Sequence, residues 1–284
     1  PRTEYVDVYL NNRFLGNYLM TQAVGEGKEK VDIDITKNEF LFEYEPYVGY
    51  SNPNCIATPI LGILLGFNEP EQPTAEQFEW LNLFLAEAES ALVSYDFERI
   101  AEYFDIDSFV DFYIVNELFK DVDFSTSSTR FYLKKGRLYA GPLWDMDLSS
   151  GNVSEKAGYY GEYWNSNTSG DSTESFYCRK IWYRELFGCQ KFGELVRKRY
   201  AELQPQIVNL TTDNELGLNR IDRLIEKYGK SFAANYEKAG WSVSYVYGEF
   251  ESRYPAKTYE GNVEYLREWL IRRNAWLLHE LGIS

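Results

Sequence analysis

The stretch Gly141-Pro-Leu-Trp-Asp-Met-Asp-Leu148 follows a predicted strand and places Asp145 and Asp147 two residues apart. Pro142 stiffens this segment, and Trp144 lies directly before the first acid. An ionised carboxylate beside apolar neighbours is costly to desolvate unless a cation or hydrogen-bond donors compensate its charge. The segment therefore predicts a cation site, whereas the alternative is an Asp-x-Asp pair that satisfies turn amides and binds nothing.

A third acid lies upstream, where Asp123 closes the strongly helical stretch Asn116-Glu-Leu-Phe-Lys-Asp-Val-Asp123. The order of helix, acid, short strand pair and paired acid is typical of sites that transfer a phosphoryl group. In such sites one acid accepts the proton of the attacking hydroxyl, and another holds magnesium against the phosphates. This order predicts that Asp123 and the pair Asp145 and Asp147 belong to one such site.

Composition limits the class of protein. The chain has 284 residues, of which 44% are hydrophobic and 17% aromatic, so it can bury a large core and is not disordered. Its 44 acidic and 29 basic residues give a formal charge of −15, which repels nucleic acid and anionic lipid. No stretch approaches the roughly 20 apolar residues that span a bilayer. We expect no nucleic-acid binding and no membrane span.

The cysteines and the histidine give no catalytic signal. Cys55, Cys178 and Cys189 lack the spacing of metal ligands, and although the last two could pair, we expect buried thiols. The single histidine, His279, lies near the end of the last predicted helix and is a poor catalytic candidate. The chain begins within a predicted strand, so we expect further sequence upstream.

The first seventy residues predict β structure. Asn11 and Asn12 form a hairpin turn, with a bulge at Gly16. Strands are predicted over Tyr5–Leu10, Phe14–Ala23, Val31–Ile35, Phe40–Tyr44 and Ile60–Phe67.

From Thr74 the apolar residues follow the helical period. Thr74-Ala-Glu-Gln77 is a capping box, and a second helix begins with Asp107 as its N-cap. The residues 149–175, rich in Ser, Gly, Asn and Thr, are interpreted as a mobile lid. Two strands are predicted over Thr129–Lys134 and Arg137–Gly141, and later helices over Tyr177–Phe187, Phe192–Leu210, Leu216–Tyr236 and Val263–Leu281.

These patterns predict an α+β protein with two lobes. Residues 1–73 would form the β-rich N-terminal lobe, incomplete at its start. Residues 74–284 would form a mainly helical C-terminal lobe that carries the acidic site.

Four segments of the chain together resemble one known family. The order and spacing of the segments are similar to those of the CotH (spore coat protein H) kinases, atypical members of the protein-kinase-like fold, and the resemblance covers nearly the whole chain. The segments are Val8–Met20, Phe109–Asp123, Trp144–Leu148 and Trp269–Leu277.

The resemblance implies roles for the acids. Asp123 is the counterpart of the catalytic-loop acid, and Asp145 corresponds to the acid that holds magnesium. Asp147 would support the site or add a ligand. Kinases place an Asn about five residues after the catalytic acid, where its amide oxygen helps to hold metal. Here that position is Ser128, or Arg130 if the alignment follows the strand Phe131-Tyr-Leu133.

The resemblance also implies a nucleotide site. The segment 40–47 would be a hinge that meets adenine through its backbone, which makes Glu43 and Tyr44 cofactor-binding candidates. Trp144 of the Trp-Asp-x-Asp signature and Gln22 at the end of the first hairpin are further candidates. The family favours Glu where this chain has Gln22, and neither upstream basic strands nor a Gly-rich phosphate loop is visible.

The function that the resemblance implies is an extracellular kinase. It would use ATP and magnesium to phosphorylate Ser or Thr of a secreted or surface protein, with a basic or Ser-rich protein as the candidate substrate. The first alternative is a pseudokinase that serves as an adhesion or scaffolding module, because the departures from the family pattern weaken the site. A second alternative, carbohydrate binding or hydrolysis, rests only on the aromatic and acidic content.

Overall fold

The computed structural model describes residues 1–46, 54–124, 126–152, 173–238, 246–247, 250–251 and 258–284. Its strands are β1 (Thr3–Leu10), β2 (Arg13–Thr21), β3 (Phe40–Tyr44), β4 (Cys55–Ala57), β5 (Leu64–Glu69), β6 (Arg130–Lys134), β7 (Arg137–Ala140), β8 (Val246–Tyr247) and β9 (Phe250–Glu251). Its helices are α1 (Ala75–Ser94), α2 (Phe97–Tyr103), α3 (Ile106–Phe119), α4 (Tyr183–Leu186), α5 (Gln190–Glu202), α6 (Gln204–Val208), α7 (Arg220–Glu237) and α8 (Tyr259–Glu280). The α+β class predicted from the sequence is confirmed, whereas the kinase-like arrangement in two lobes stays a prediction.

Five antiparallel strands form one sheet in the order β4-β5-β3-β6-β7. Strands from both predicted lobes share this sheet, because β6 and β7 pair beside β3. The predicted strand Phe40–Tyr44, also interpreted as part of a hinge, is confirmed as β3 and lies at the centre of the sheet, where it pairs with β5 on one side and β6 on the other. The backbone of this segment is therefore not available to adenine, and residue 47 lies outside the described residues.

The central strand β3 separates two apolar layers. Phe40 and Phe42 are buried in the main core, where they stack with a ring-centroid distance of 5.6 Å. Leu41 points to the opposite face and packs with Val31 and Ile33. The alternating apolar residues of Val31–Ile35 thus cover one face of the sheet. This segment does not form the strand that the sequence predicts.

The first hairpin forms as predicted. Asn11 and Asn12 adopt left-handed φ angles of 49° and 60°, as a tight hairpin turn requires. The register of β1 and β2 shifts between Val8 and Tyr9, where Gly16 with φ of 138° supplies the predicted bulge. The hairpin packs on α7, and the Tyr5 and Phe232 rings lie 4.8 Å apart.

Two helices that precede the acidic segment begin at side-chain caps. The capping box at Thr74 and Gln77 is present at the start of α1. The N-cap of α3 is Asp105 and not the predicted Asp107, because the Asp105 carboxylate accepts the Ser108 N–H at 3.0 Å. Asp107 lies in the first turn, where a negative charge also stabilises the helix dipole.

Two of the predicted C-terminal helices are shortened or interrupted in the structure. Only Tyr183–Leu186 of the predicted helix over Tyr177–Phe187 is helical, because the N–H groups of Tyr177 and Cys178 donate to the Glu117 carboxylate. The predicted helix over 192–210 is divided into α5 and α6, where Pro205 lacks the N–H needed for a continuous helix. The lid predicted over 149–175 lies mostly outside the described residues.

Helix α3 ends in a buried ion pair. Arg273 of α8 is fully buried, and its Nη2 donates to the Glu117 Oε1 at 2.6 Å. The same guanidinium donates through Nη1 to the carbonyl oxygens of Thr173 at 2.9 Å and Ser175 at 2.8 Å. One side chain of α8 thereby fixes both the end of α3 and the segment that precedes α4.

The cysteines are free, and Cys178 and Cys189 are buried thiols, as predicted. In the described part of the chain, none of the helices combines the length and apolarity needed to cross a bilayer.

We predict that Arg273→Met destabilises the fold by about 3–5 kcal/mol, because Glu117 would keep a buried charge without its partner. The double variant Glu117→Gln, Arg273→Met should recover part of this loss, since it leaves no buried charge. Chemical denaturation measures both effects. The matched control is Arg272→Met on the exposed face of α8, and an equal loss in this control would contradict the role assigned to the ion pair.

Candidate functional site

Backbone hydrogen bonds join the two acidic segments. Lys120 caps α3 in a left-handed conformation, with φ of 49°, and turns the chain out of the helix. The Val122 N–H then donates to the Leu148 carbonyl at 3.0 Å, and the Ser150 N–H donates to the Phe119 carbonyl at 2.6 Å. These bonds hold the chain after β7 against the end of α3.

The result is a cluster of four carboxylates. Asp121 and Asp123 follow α3, and Asp145 and Asp147 follow β7. Asp121 is buried, Asp123 is half-buried, and Asp145 and Asp147 are more exposed. Asp145 adopts a left-handed φ of 56°, a conformation that Asp tolerates better than most residues and that is enriched at functional sites.

The carboxylates perturb one another. Burial, followed by repulsion from Asp123, Asp147 and Asp145, raises the pKa of Asp121 to about 8. Burial, followed by repulsion from Asp147 and Asp145, raises the pKa of Asp123 to about 6. The pKa of Asp147 is also raised, first by burial and then by Asp145. A cation placed among these acids would offset this repulsion.

A local turn fixes Asp123. The N–H groups of Thr126 and Ser127 donate to the Asp123 carbonyl at 2.8 and 3.0 Å. The Thr126 hydroxyl donates to the same carbonyl at 2.9 Å and lies 3.5 Å from the Asp123 Oδ1. The Asp123 carboxylate is thus presented from a turn with few free torsions.

The acids are suited to magnesium only if a ligand and water complete its coordination. Carboxylate oxygens are the ligands that magnesium prefers, and it is often held by only one or two carboxylates together with substrate phosphates and water. Among the described residues, no three acids are close enough to enclose an ion by themselves. Asp145 and Asp147 are the acids that would hold magnesium, together with phosphate and water.

A second group of contacts ties Asp145 to the sheet. The Ser128 hydroxyl lies 3.5 Å from the Asp145 Oδ2, and the Ser128 N–H donates to the Glu43 Oε1 at 3.1 Å. The other oxygen of Glu43 accepts from the Arg130 Nη2 at 2.6 Å. The Arg130 guanidinium carbon lies 5.3 Å from the centroid of the Trp144 ring. These residues connect β3 and β6 to the segment that carries the acids.

The structure brings most of the predicted site residues together, but Tyr44 and Gln22 make their described hydrogen bonds elsewhere. Glu43 joins the site through its ion pair with Arg130, and the backbone of Tyr44 donates to the Thr129 carbonyl at 2.8 Å. Gln22 bonds Arg2 and Glu29, and it lines a small cavity of about 60 Å³ with Pro142 at the start of the signature segment. None of its hydrogen bonds in the described part of the chain reaches the acids.

Two residues of the site were not predicted as part of it. Asp121 lies two positions before Asp123, so the same Asp-x-Asp pattern could have identified it. Arg130 was considered only as a replacement for a metal-binding Asn. Its ion pair with Glu43 joins residues that lie far apart in sequence, which no local pattern indicates.

The chain thus combines an α+β fold with a cluster of acids where the end of α3 meets the segment that follows β7. The family model described as CotH kinase protein matches residues 1–277, and the chain belongs to the CotH kinase family. No curated protein matches it. The family supports a kinase-like protein with ATP as phosphate donor and a protein as substrate, and it is consistent with a surface location.

We predict that Asp121→Asn flattens the pH dependence of stability in metal-free protein. The pKa of Asp121 is about 8 in the folded protein, but about 4 in an unfolded chain. The contribution of Asp121 to the free energy of unfolding is therefore fully present below about pH 4. It is lost as the pH rises toward about 8, because only the unfolded state releases the proton between these two values.

Thermal unfolding in EDTA from about pH 5 to about pH 8 measures this effect. The wild type should lose on the order of 2 kcal/mol or more, since one pKa unit corresponds to about 1.4 kcal/mol. Asp107→Asn, an exposed change in α3, should keep the wild-type slope. The same slope in Asp121→Asn would contradict the prediction.

Proposed function

We propose that this chain is a CotH-type protein kinase that transfers the terminal phosphoryl group of ATP to a Ser or Thr hydroxyl of a secreted or surface protein. The observation that carries this proposal is the convergence of Asp123 with Asp145 and Asp147 across two segments of the chain. A proton acceptor and a metal-binding acid in one cluster are what phosphoryl transfer requires.

Asp123 would act as the base. The acceptor oxygen attacks the terminal phosphorus, the bond from that phosphorus to the bridging oxygen breaks, ADP leaves, and the hydroxyl proton passes to Asp123. A pKa of about 6 leaves this carboxylate mostly ionised at neutral pH, and within the range that suits a general base. Asp145, with Asp147, would hold magnesium, which neutralises charge on the phosphates.

A cavity beside the acids could receive the acceptor protein. It has a volume of about 630 Å³ and opens next to Asp147. Its apolar lining includes Met146, Ile221, Tyr265 and Leu266. An apolar side chain near the accepting Ser or Thr would fit this lining, and the formal charge of −15 favours a basic acceptor.

A pseudokinase is the second candidate. Arg130 can take the position of a metal-binding amide in the alignment, and a guanidinium cannot bind a cation. The backbone of Phe40–Tyr44 is also committed to the sheet, so this segment offers no adenine contact of the kind that the resemblance implied. In that case the domain would serve in adhesion or as a scaffold.

We predict that Asp123→Asn and Asp145→Ala have different effects. Asp123→Asn should leave ATP binding nearly unchanged and reduce phosphoryl transfer by a factor on the order of 10² or more, because proton acceptance matters mainly in the transition state. Asp145→Ala should abolish the magnesium-dependent part of ATP binding. Calorimetric titration and radiolabelled transfer to a Ser-rich basic protein measure the two effects.

The control for both variants is Asp107→Asn, which lies at the far end of α3. Transfer by wild type together with equal ATP affinity in wild type and Asp145→Ala would contradict the metal assignment. Absence of any transfer by the wild type would favour the pseudokinase.

We also predict that Ser128→Asn lowers the magnesium concentration needed for half-maximal ATP binding. Ser128 has a left-handed φ of 53°, which Asn tolerates well. An Asn carbonyl reaches about one bond further than the serine hydroxyl and could become a ligand. Ser128→Ala should change little if water already fills this position. Unchanged magnesium dependence in Ser128→Asn would show that this residue does not face the metal.

A further inference from the structure

The Arg130 guanidinium is incompletely satisfied in the interior. Arg130 is only 9% exposed, and its Nη2 donates to the Glu43 carboxylate. In the part of the chain that the structure describes, its Nε and Nη1 are buried without a hydrogen-bond partner. A buried donor that lacks an acceptor costs about 1–3 kcal/mol, and more when the group is charged.

Glu43 cannot satisfy these two donors as it is placed. One of its oxygens already accepts from Arg130, and the other accepts from the Ser128 N–H. Trp144 contacts the guanidinium through its ring and offers no acceptor lone pair. Among the described residues these two buried donors have no acceptor, and an oxyanion of a bound ligand would satisfy both.

The position of the guanidinium indicates which oxyanion. Trp144 directly precedes Asp145, and Ser128 touches Asp145, so Arg130 lies beside the candidate metal ligand. The neighbouring acids repel a nucleotide, whose phosphates need compensating positive charge. Arg130 is the basic side chain that the described contacts place against this segment.

We propose that Arg130 is the phosphate-binding base of this site, and that its Nε and Nη1 donate to phosphate oxygens of magnesium-bound ATP. This proposal rests on the proposed kinase function. It assigns to Arg130 a ligand contact, in addition to the ion pair that connects the sheet to the acidic segment.

A purely structural role for Arg130 makes a different prediction, and Glu43 separates the two. Glu43→Gln keeps an oxygen for the Ser128 N–H but removes the charge that holds Arg130. If Arg130 only supports the fold of the site, Arg130→Met and Glu43→Gln should weaken ATP binding equally. If Arg130 binds phosphate, Glu43→Gln should tighten binding by a few fold, because it frees Nη2 and removes a competing negative charge.

The test is calorimetric titration of the whole chain with magnesium-ATP and with magnesium-tripolyphosphate, which lacks the nucleoside. Arg130→Met should weaken binding of both by a factor of about 10 or more, comparable to the loss of a charge-assisted hydrogen bond. Arg137→Met on the exposed edge of the neighbouring strand is the matched control and should bind like wild type. If Arg130→Met does not fold, the double variant Glu43→Gln, Arg130→Met leaves no buried charge unpaired, and the same loss is expected.

The outcomes separate this proposal from the proposed function. Wild-type binding of magnesium-ATP, with equal affinity in folded Arg130→Met, overturns the role of Arg130 and leaves the kinase proposal intact. Equal losses in Arg130→Met and Glu43→Gln also overturn it, in favour of a structural role. If the wild type binds neither ATP nor tripolyphosphate, the kinase proposal and the role of Arg130 fail together.

Discussion

The buried ion pair between Glu117 and Arg273 is the constraint on which the site depends. The carboxylate accepts two backbone N–H groups at the start of the segment before α4, and the guanidinium donates to carbonyl groups of that segment. The guanidinium N–H groups that contact this segment all donate to acceptors within the protein. A buried ion pair is tolerated under this condition. Because Glu117 lies in the last turn of α3, the pair also fixes the point from which Asp121 and Asp123 leave the helix.

The acidic cluster opposes this stability. Burial and mutual repulsion raise the pKa values of Asp121, Asp123 and Asp147, so ionising the cluster in the folded chain costs free energy. Such a concentration of like charge is typical of sites whose ligand brings the compensating charge. Under the proposed kinase function, magnesium and the acceptor proton would both offer that compensation. The same acids thus lower the stability of the metal-free fold, and they are the groups whose charge a ligand would compensate.

The five-stranded sheet supplies the second half of the site. Its central strand β3 carries Glu43, which meets Arg130 of β6 across the register pair that joins the two strands. Arg130 in turn contacts Trp144, so the sheet determines where the following acid lies. The segment interpreted from the sequence as a hinge for adenine is a central strand that supports the segment carrying Asp145. Residues of both predicted lobes therefore share one sheet and contribute to the site. The boundary between the lobes is less sharp than the order of strands and helices along the chain indicates.

The sequence by itself determined the α+β class, the first hairpin, the capping box at Thr74 and the acidic candidates, because each depends on local periodicity, turn chemistry or residue spacing. It also determined the family, because four short segments keep a characteristic order. Only the tertiary structure decided that the predicted strand Phe40–Tyr44 lies at the centre of the sheet, that Tyr177 and Cys178 leave helical geometry, and that Arg130 pairs with Glu43. These features depend on hydrogen bonds and charges between residues far apart in the chain, which compete with local propensity and override it.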